Sequence, residues 1–269
     1  MRGGGDAHRP IICTAPLPCF PVALKPSGLR ALARAVKRRA MTAKPIIVFD
    51  LDGTLVDTAP DLLSSLNHSL EAGGAARAEA ARFREFVGFG GRVMIERAFA
   101  AQRRALDKPE HDRLLALFLE HYSAGIPGES RPYPGVVEAL DRFRDAGFLL
   151  AICTNKYEEN SVRLIAALGL SHYFAAICGQ DTFAFRKPDP RHLTETIAKA
   201  GGNPSSALMI GDSVTDIDTA KAAGIPVVAV DFGYTDRHVR EFEPSAIISH
   251  YDELTLDLAN RLLRAAAEA

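Results

Sequence analysis

Tryptophan is absent from this 269-residue chain, aromatic residues make up only 7%, and cysteine occurs four times. The cysteines, Cys13, Cys19, Cys153 and Cys178, include no CxxC pair or metal-type spacing, so neither a zinc ribbon nor a disulfide scaffold is indicated. No apolar run reaches the roughly 20 residues that span a bilayer. The longest uncharged stretch, 10–24, carries Pro10, Pro16, Pro18 and Pro21, which spoil both a helix and a signal-peptide core. No Walker lysine motif and no GxSxG elbow occurs. At a net charge of −1, nothing in the total charge points to nucleic acid or an acidic membrane. A cytoplasmic protein with Cys153 and Cys178 as buried free thiols is expected.

What is present suits a folded globular protein: 47% apolar and 24% charged residues. At this length a core can close without staples. The near-neutral total hides an asymmetry. Residues 1–44 hold nine Lys/Arg against the single acid Asp6, a net of +8, which leaves −9 for the remainder. Residues 1–44 are therefore expected to be a disordered or mis-started basic leader, with Met41 as a candidate translation start.

From Pro45 onward, short apolar runs of strand length alternate with amphipathic stretches of helix length. The runs are Ile46–Phe49, Phe148–Cys153, Ala207–Ile210 and Val227–Val230, with weaker ones at Ala175–Cys178 and Ala246–Ile248. Runs apolar on both sides are parallel strands covered by helices on both faces. Val136–Ala146, Glu158–Leu168, Arg191–Ala200 and Thr215–Ala223 have helical spacing, and Gly147, Gly169, Gly201 and Gly224 stand where left-handed C-caps are wanted. The pattern predicts a doubly wound α/β fold. Residues 58–132 carry helical signals alone, at Asp61–Ala72, Ala78–Phe86, Arg92–Gln102 and Glu110–Ala124, with a glycine-rich elbow at 88–91.

Ligands of open parallel sheets bind beyond the carboxyl ends of the strands. There the sequence places Asp50-Leu51-Asp52-Gly53-Thr54, then Thr154-Asn155-Lys156, then Gly211-Asp212-Ser213-Val214-Thr215-Asp216, with Lys187 before the last. Two like charges at about 4 Å repel by roughly 4 kcal/mol at an effective dielectric near 20. Asp50, Asp52, Asp212 and Asp216 therefore need cations. Lys187 supplies one charge, and all-oxygen ligands without His or Cys point to Mg2+ for the rest. The balance still favours one neutral acid, a ready proton donor.

Other chemistries fit poorly. A calcium loop wants Gly at its sixth position and Glu at its twelfth, where Leu55 and Asp61 stand. The Gly88–Arg92 stretch follows a helical segment and lacks the last glycine of a dinucleotide loop. Thr58 and Asp61 read as N-cap chemistry for the following helix, while Asp57 reads equally as cap or site. His68, His111, His121 and His192 fall on polar helix faces and are expected to be solvated.

Asp50-x-Asp52-Gly53-Thr54-Leu55-x-Asp57, Thr154-Asn155, Lys187-Pro188 and Gly211-Asp212-Ser213-x-x-Asp216 resemble the four motifs of the haloacid dehalogenase superfamily of phosphohydrolases, in order and at the right strand ends. The resemblance implies a Rossmannoid core over 45–57 and 133–269 with an inserted all-helical (C1) cap over 58–132. It implies Asp50 as nucleophile, Asp52 as general acid/base and Lys187 as charge partner. It also implies Mg2+ on Asp50, the Asp52 carbonyl and Asp212, with Gly53, Thr54 and Asp216 in support and Thr154 and Asn155 on the phosphate. Asp57–Asp61, the elbow Val87–Gly91 and Cys153–Lys156 are most similar to bacterial phosphoglycolate phosphatases, so 2-phosphoglycolate is the expected substrate, with Arg92 or Lys156 on its carboxylate. A sugar-phosphate phosphatase, a hexose-phosphate mutase or a silent phospho-ligand binder are the alternatives. No nucleic-acid or membrane partner is implied.

Overall fold

The apolar run Ile46–Phe49, three β-branched residues and a phenylalanine, forms β1 inside the sheet. In this computed structural model, residues 44–87, 90–235 and 237–268 are described. The leader, with Cys13 and Cys19, and elbow residues Gly88 and Phe89 lie outside them. Further strands follow as β2 (Val56–Asp57), β3 (Arg131–Pro132), β4 (Leu149–Cys153), β5 (Ala176–Cys178), β6 (Ala207–Gly211), β7 (Val227–Val230) and β8 (Ala246–Ile248). The helices are α1 (Ala59–Ala72), α2 (Gly91–Ala100), α3 (Lys108–Gly125), α4 (Val136–Asp145), α5 (Glu158–Ala167), α6 (Pro190–Lys199), α7 (Val214–Ala222) and α8 (Leu256–Glu268).

Six strands make one parallel sheet in the order β5-β4-β1-β6-β7-β8. Successive β1 residues point to opposite faces, as the two-residue period of a strand requires. Ile47 and Phe49 enter a core closed by α4, α5 and α8; Ile46 and Val48 enter a second core closed by α6 and α7. Both faces are covered, which is why the runs are apolar throughout. Gly147, Gly169, Gly201 and Gly224 all have positive φ, between 66° and 84°, at the helix ends where caps were expected.

The stretch between β2 and β3 holds α1, α2 and α3, which pack around their own apolar cluster including Leu66, Ile95, Phe99 and Phe118. Two local features differ from expectation. The helix expected over Ala78–Phe86 is a short 3-10 turn, Ala80–Glu85. Asn67 binds both the Ala78 N–H and its carbonyl, and Gln102 does the same to Ala76, so these backbone groups are unavailable to a helix. The second is a two-residue antiparallel ribbon, Val56 opposite Pro132 and Asp57 opposite Arg131, too short and polar for a hydrophobic pattern to reveal.

Candidate active site

Asp50 sits one residue beyond β1, its N–H extending the ladder onto Ile210 O at 2.8 Å, so the sheet itself aims the carboxylate. Asp212 occupies the same place beyond β6. The loop after β4 carries Thr154, Asn155 and Lys156, and Lys187 precedes α6. These side chains and Asp216 all line or border one cavity of about 220 Å³, whose other wall is built by α1, α2 and α3. The sheet edge thus collects the residues scattered over the sequence.

Lys187 is 4% exposed, and its Nζ donates to Asp50 Oδ1 and to Asp216 Oδ1, each at 2.6 Å. The other Asp216 oxygen accepts from the Ser213 N–H and hydroxyl. Asp216 thereby fixes both the lysine and the start of α7, each of its oxygens accepting a hydrogen bond. Gly211 is required here for space: a Cβ would lie 2.3 Å from Asp216 Cβ. Asp212 accepts from Thr54 Oγ1 at 3.1 Å and from the Tyr234 N–H at 2.8 Å. Among the described residues, none donates to the second oxygen of Asp50.

Burial, with the neighbouring Asp216, pushes Asp50 up to about 6 even against the pull of Lys187. Burial, then Asp216 and Asp50, pushes Asp212 well above the usual carboxylate range. The cluster is short of positive charge. Asp50, Asp212 and Asp216 present one oxygen each within 4.8 Å of one another. Asp212 needs glycine on both sides for space: a Cβ on Gly53 would meet its Oδ2 at 2.4 Å, and one on Gly233 its Cβ at 2.2 Å. A hard divalent cation fits this all-oxygen, negatively charged cradle.

Asp52 stands apart from that cluster. Its oxygens take Lys156 Nζ at 2.9 and 3.0 Å, and Oδ1 also accepts from Thr58 Oγ1 at 2.8 Å. Lys156 is therefore a second cation within the site, its side chain 7% exposed. With it, four carboxylates, two ammonium groups and one divalent ion balance to zero before substrate arrives; the anionic phosphoester then adds negative charge, so one protonated acid is still called for in the loaded site. Asp52 nonetheless raises Lys156 above its ordinary range, although burial works the other way. Lys156 Nζ also lies 4.1 Å from the centroid of the Tyr122 ring on α3. Arg92, at the start of α2, lines the cavity too, but its guanidinium is exposed and paired with Asp112 at 2.7 Å. Thr154 is buried, its Oγ1 accepting from Lys156 N–H, and Asn155 Nδ2 holds the Lys187 carbonyl at 3.0 Å. Cys153 and Cys178 are buried free thiols, as expected; burial pushes Cys153 up to about 12, so it is no nucleophile.

Three expectations need correction. Thr58 makes no side-chain cap; its hydroxyl is taken by Asp52. Asp61 does not cap α1 but accepts from the N–H groups of Glu129 and Ser130 and from the Ser130 hydroxyl, clasping the chain as it leaves α3. His192 is fully buried rather than solvated. Its Nδ1 accepts from the Lys187 N–H and its Nε2 meets Gly179 O at 3.0 Å, so it props the lysine loop. His111 and His121 are partly buried and hydrogen-bonded, while His68 is exposed.

Tyr234 was not singled out from the sequence. Its N–H binds Asp212, and its hydroxyl accepts from the N–H groups of Thr58 and Ala59 at 2.6 and 2.8 Å and donates to Asp57 at 2.7 Å. It stands beyond β7, so the question asked of the other strand ends would have found it.

A family model described as haloacid dehalogenase-like hydrolase matches residues 47–230. The chain belongs to this family. Among haloacid dehalogenase-like relatives, a phosphoglycolate phosphatase of Mesorhizobium japonicum is 75% identical over 224 residues, covering 83% of this chain and 99% of the relative. A phosphoglycolate phosphatase of Agrobacterium fabrum is 50% identical, covering 84% and 97%. A crystal structure of a predicted phosphoglycolate phosphatase from Haemophilus somnus superposes with a TM-score of 0.73 at 30% identity, covering 80% of this chain and 97% of that one. Among the described residues, no helix is long and apolar enough to cross a membrane.

Proposed function

We propose that the protein is a Mg2+-dependent phosphomonoesterase that hydrolyses 2-phosphoglycolate to glycolate and phosphate, its core (45–57 and 133–269) carrying the chemistry and its cap (58–132) the selectivity. The observation that carries this reading is the relative named phosphoglycolate phosphatase at 75% identity, which the chain matches over nearly the relative's whole length. The buried carboxylates at the strand ends supply a chemistry to go with it.

Asp50, Asp212 and the main-chain carbonyl of Asp52 would hold Mg2+, which when bound offsets their charge and that of the phosphate. The free oxygen of Asp50 attacks phosphorus, and the bond to the leaving oxygen breaks. Asp52, oriented by Thr58 and Lys156, gives that alkoxide its proton. Lys187 holds the other Asp50 oxygen and lowers the repulsion between two anions. Thr154 and Asn155 hydrogen-bond the phosphate oxygens, while Arg92 and Lys156 are the cations within reach of the substrate's carboxylate. Asp52 then takes a proton from water as the water attacks the aspartyl-phosphate, releasing phosphate and restoring Asp50.

Purified protein with Mg2+ is expected to release phosphate from 2-phosphoglycolate and far less from hexose phosphates. Preference for hexose phosphates would instead favour a sugar phosphatase or hexose-phosphate mutase. No release from any small phosphoester would favour a silent binding module.

A further inference from the structure

A substrate with an acidic leaving group must be told apart from the same phosphoester without the acid, and the cap has few groups able to do so. Of the described cap residues lining the cavity, Arg92 and Tyr122 alone carry polar side chains; the remainder are glycine or apolar. Arg92 is exposed and already paired with Asp112. Tyr122 is 4% exposed, and its hydroxyl has no hydrogen-bond partner in the protein. The nearby Lys156 lies 4.1 Å from the ring centroid and, as an ammonium held by both oxygens of Asp52, can offer the hydroxyl a donor but never an acceptor for its proton.

A buried hydroxyl left without a partner costs a folded protein about 1–3 kcal/mol, so its retention calls for an acceptor that is present only part of the time. Burial pushes the Tyr122 hydroxyl above its ordinary range, so it stays a neutral O–H donor. Resting on the substrate proposed above, we infer that Tyr122 is a specificity-determining residue whose hydroxyl donates to the carboxylate of the bound phosphoester. In 2-phosphoglycolate a single methylene separates the bridging oxygen from the carboxylate. A leaving oxygen within reach of Asp52 therefore carries its carboxylate to the wall where Lys156 and Tyr122 meet. The reacting phosphate is held by the core, and Tyr122 reads the other end.

The test compares two phosphoesters of equal carbon count, 2-phosphoglycolate and ethyl phosphate, on the full-length protein with Mg2+. In Tyr122→Phe, the ratio of kcat/KM for 2-phosphoglycolate over that for ethyl phosphate is expected to fall about ten- to a hundredfold, the loss of one hydrogen bond to a charged group. The melting temperature without substrate is expected to stay level or rise, because the O–H proton removed had no acceptor in the protein. A Tyr122→Phe protein that keeps the parent ratio, or loses rate equally on both substrates, overturns this assignment and leaves the proposed activity standing. A parent that does not prefer 2-phosphoglycolate overturns the proposed substrate, and the role of Tyr122 with it.

Discussion

Lys187 illustrates how single residues are set in this site: buried between Asp50 and Asp216, its ammonium is held by both carboxylates at 2.6 Å. Asp50→Asn keeps the shape of the nucleophile and removes its charge, while Lys187 retains Asp216. Turnover is expected below about a hundredth of the parent, with an unchanged circular dichroism spectrum; greater residual activity would argue against covalent catalysis. His192, which props the same lysine through its main chain, is held down to about 4 by burial and then by Lys187. An unfolded histidine protonates near 6.5, so between about 6.5 and 4 the unfolded chain binds a proton that the folded chain refuses. Stability supplied by neutral His192 is therefore full above that window and lost as pH falls through it, by roughly 3 kcal/mol in all. Asp50 and Asp212, raised by burial, act in the opposite sense over part of the same range. The comparison must accordingly be with His192→Gln: the stability of the parent relative to this variant, from urea unfolding, is expected to drop by about that amount from pH 7 to pH 4. A constant difference would show that His192 is not held neutral.

Tyr234 ties two elements that the sequence separates widely, the loop after β7 and the first turn of α1. Its hydroxyl serves two N–H groups and Asp57 together; in Tyr234→Phe Ala59 keeps its bond to Asp57 at 3.2 Å, but the Thr58 N–H at the start of α1 is orphaned at a cost of about 2 kcal/mol. A fall in melting temperature of roughly 5–10 °C is the expected result for a domain of this size; an unchanged value would mean that water replaces the hydroxyl at no cost. Long elements were legible because burial on both faces writes an unbroken apolar run, and because four glycines mark four helix ends. The site was legible where acids stand at strand ends, since carboxylates there demand compensation. Contacts formed through space by residues of ordinary type escaped notice. Lys156 was expected as a cation for the substrate, yet nothing in the sequence shows that the fold lays it on Asp52, and Asp61 and Thr58 carry cap signatures but are spent on Ser130 and Asp52. The same holds for Asn67, whose side chain cancels the first turn of an expected helix.

At the scale of the whole molecule, the carboxylate cluster is a concentrated negative charge that folding must tolerate. A cation bound by the folded protein and not by the unfolded chain stabilises it by mass action, about 2.7 kcal/mol at a hundredfold excess over Kd. Millimolar Mg2+ is therefore expected to raise the melting temperature by several degrees. EDTA should reverse the shift, and Asp212→Asn should abolish it. A Mg2+ response that persists in Asp212→Asn would place the ion elsewhere. The ribbon of β2 and β3 has a different consequence. Because Val56–Asp57 and Arg131–Pro132 lie side by side, the chain leaves the sheet and returns to it at one point. The helices between are an excursion whose two ends already meet, so lengthening, shortening or replacing them asks little of the strands beneath. Such a layout lets inheritance remodel the far wall of the cavity while the strand ends that carry the carboxylates keep their places.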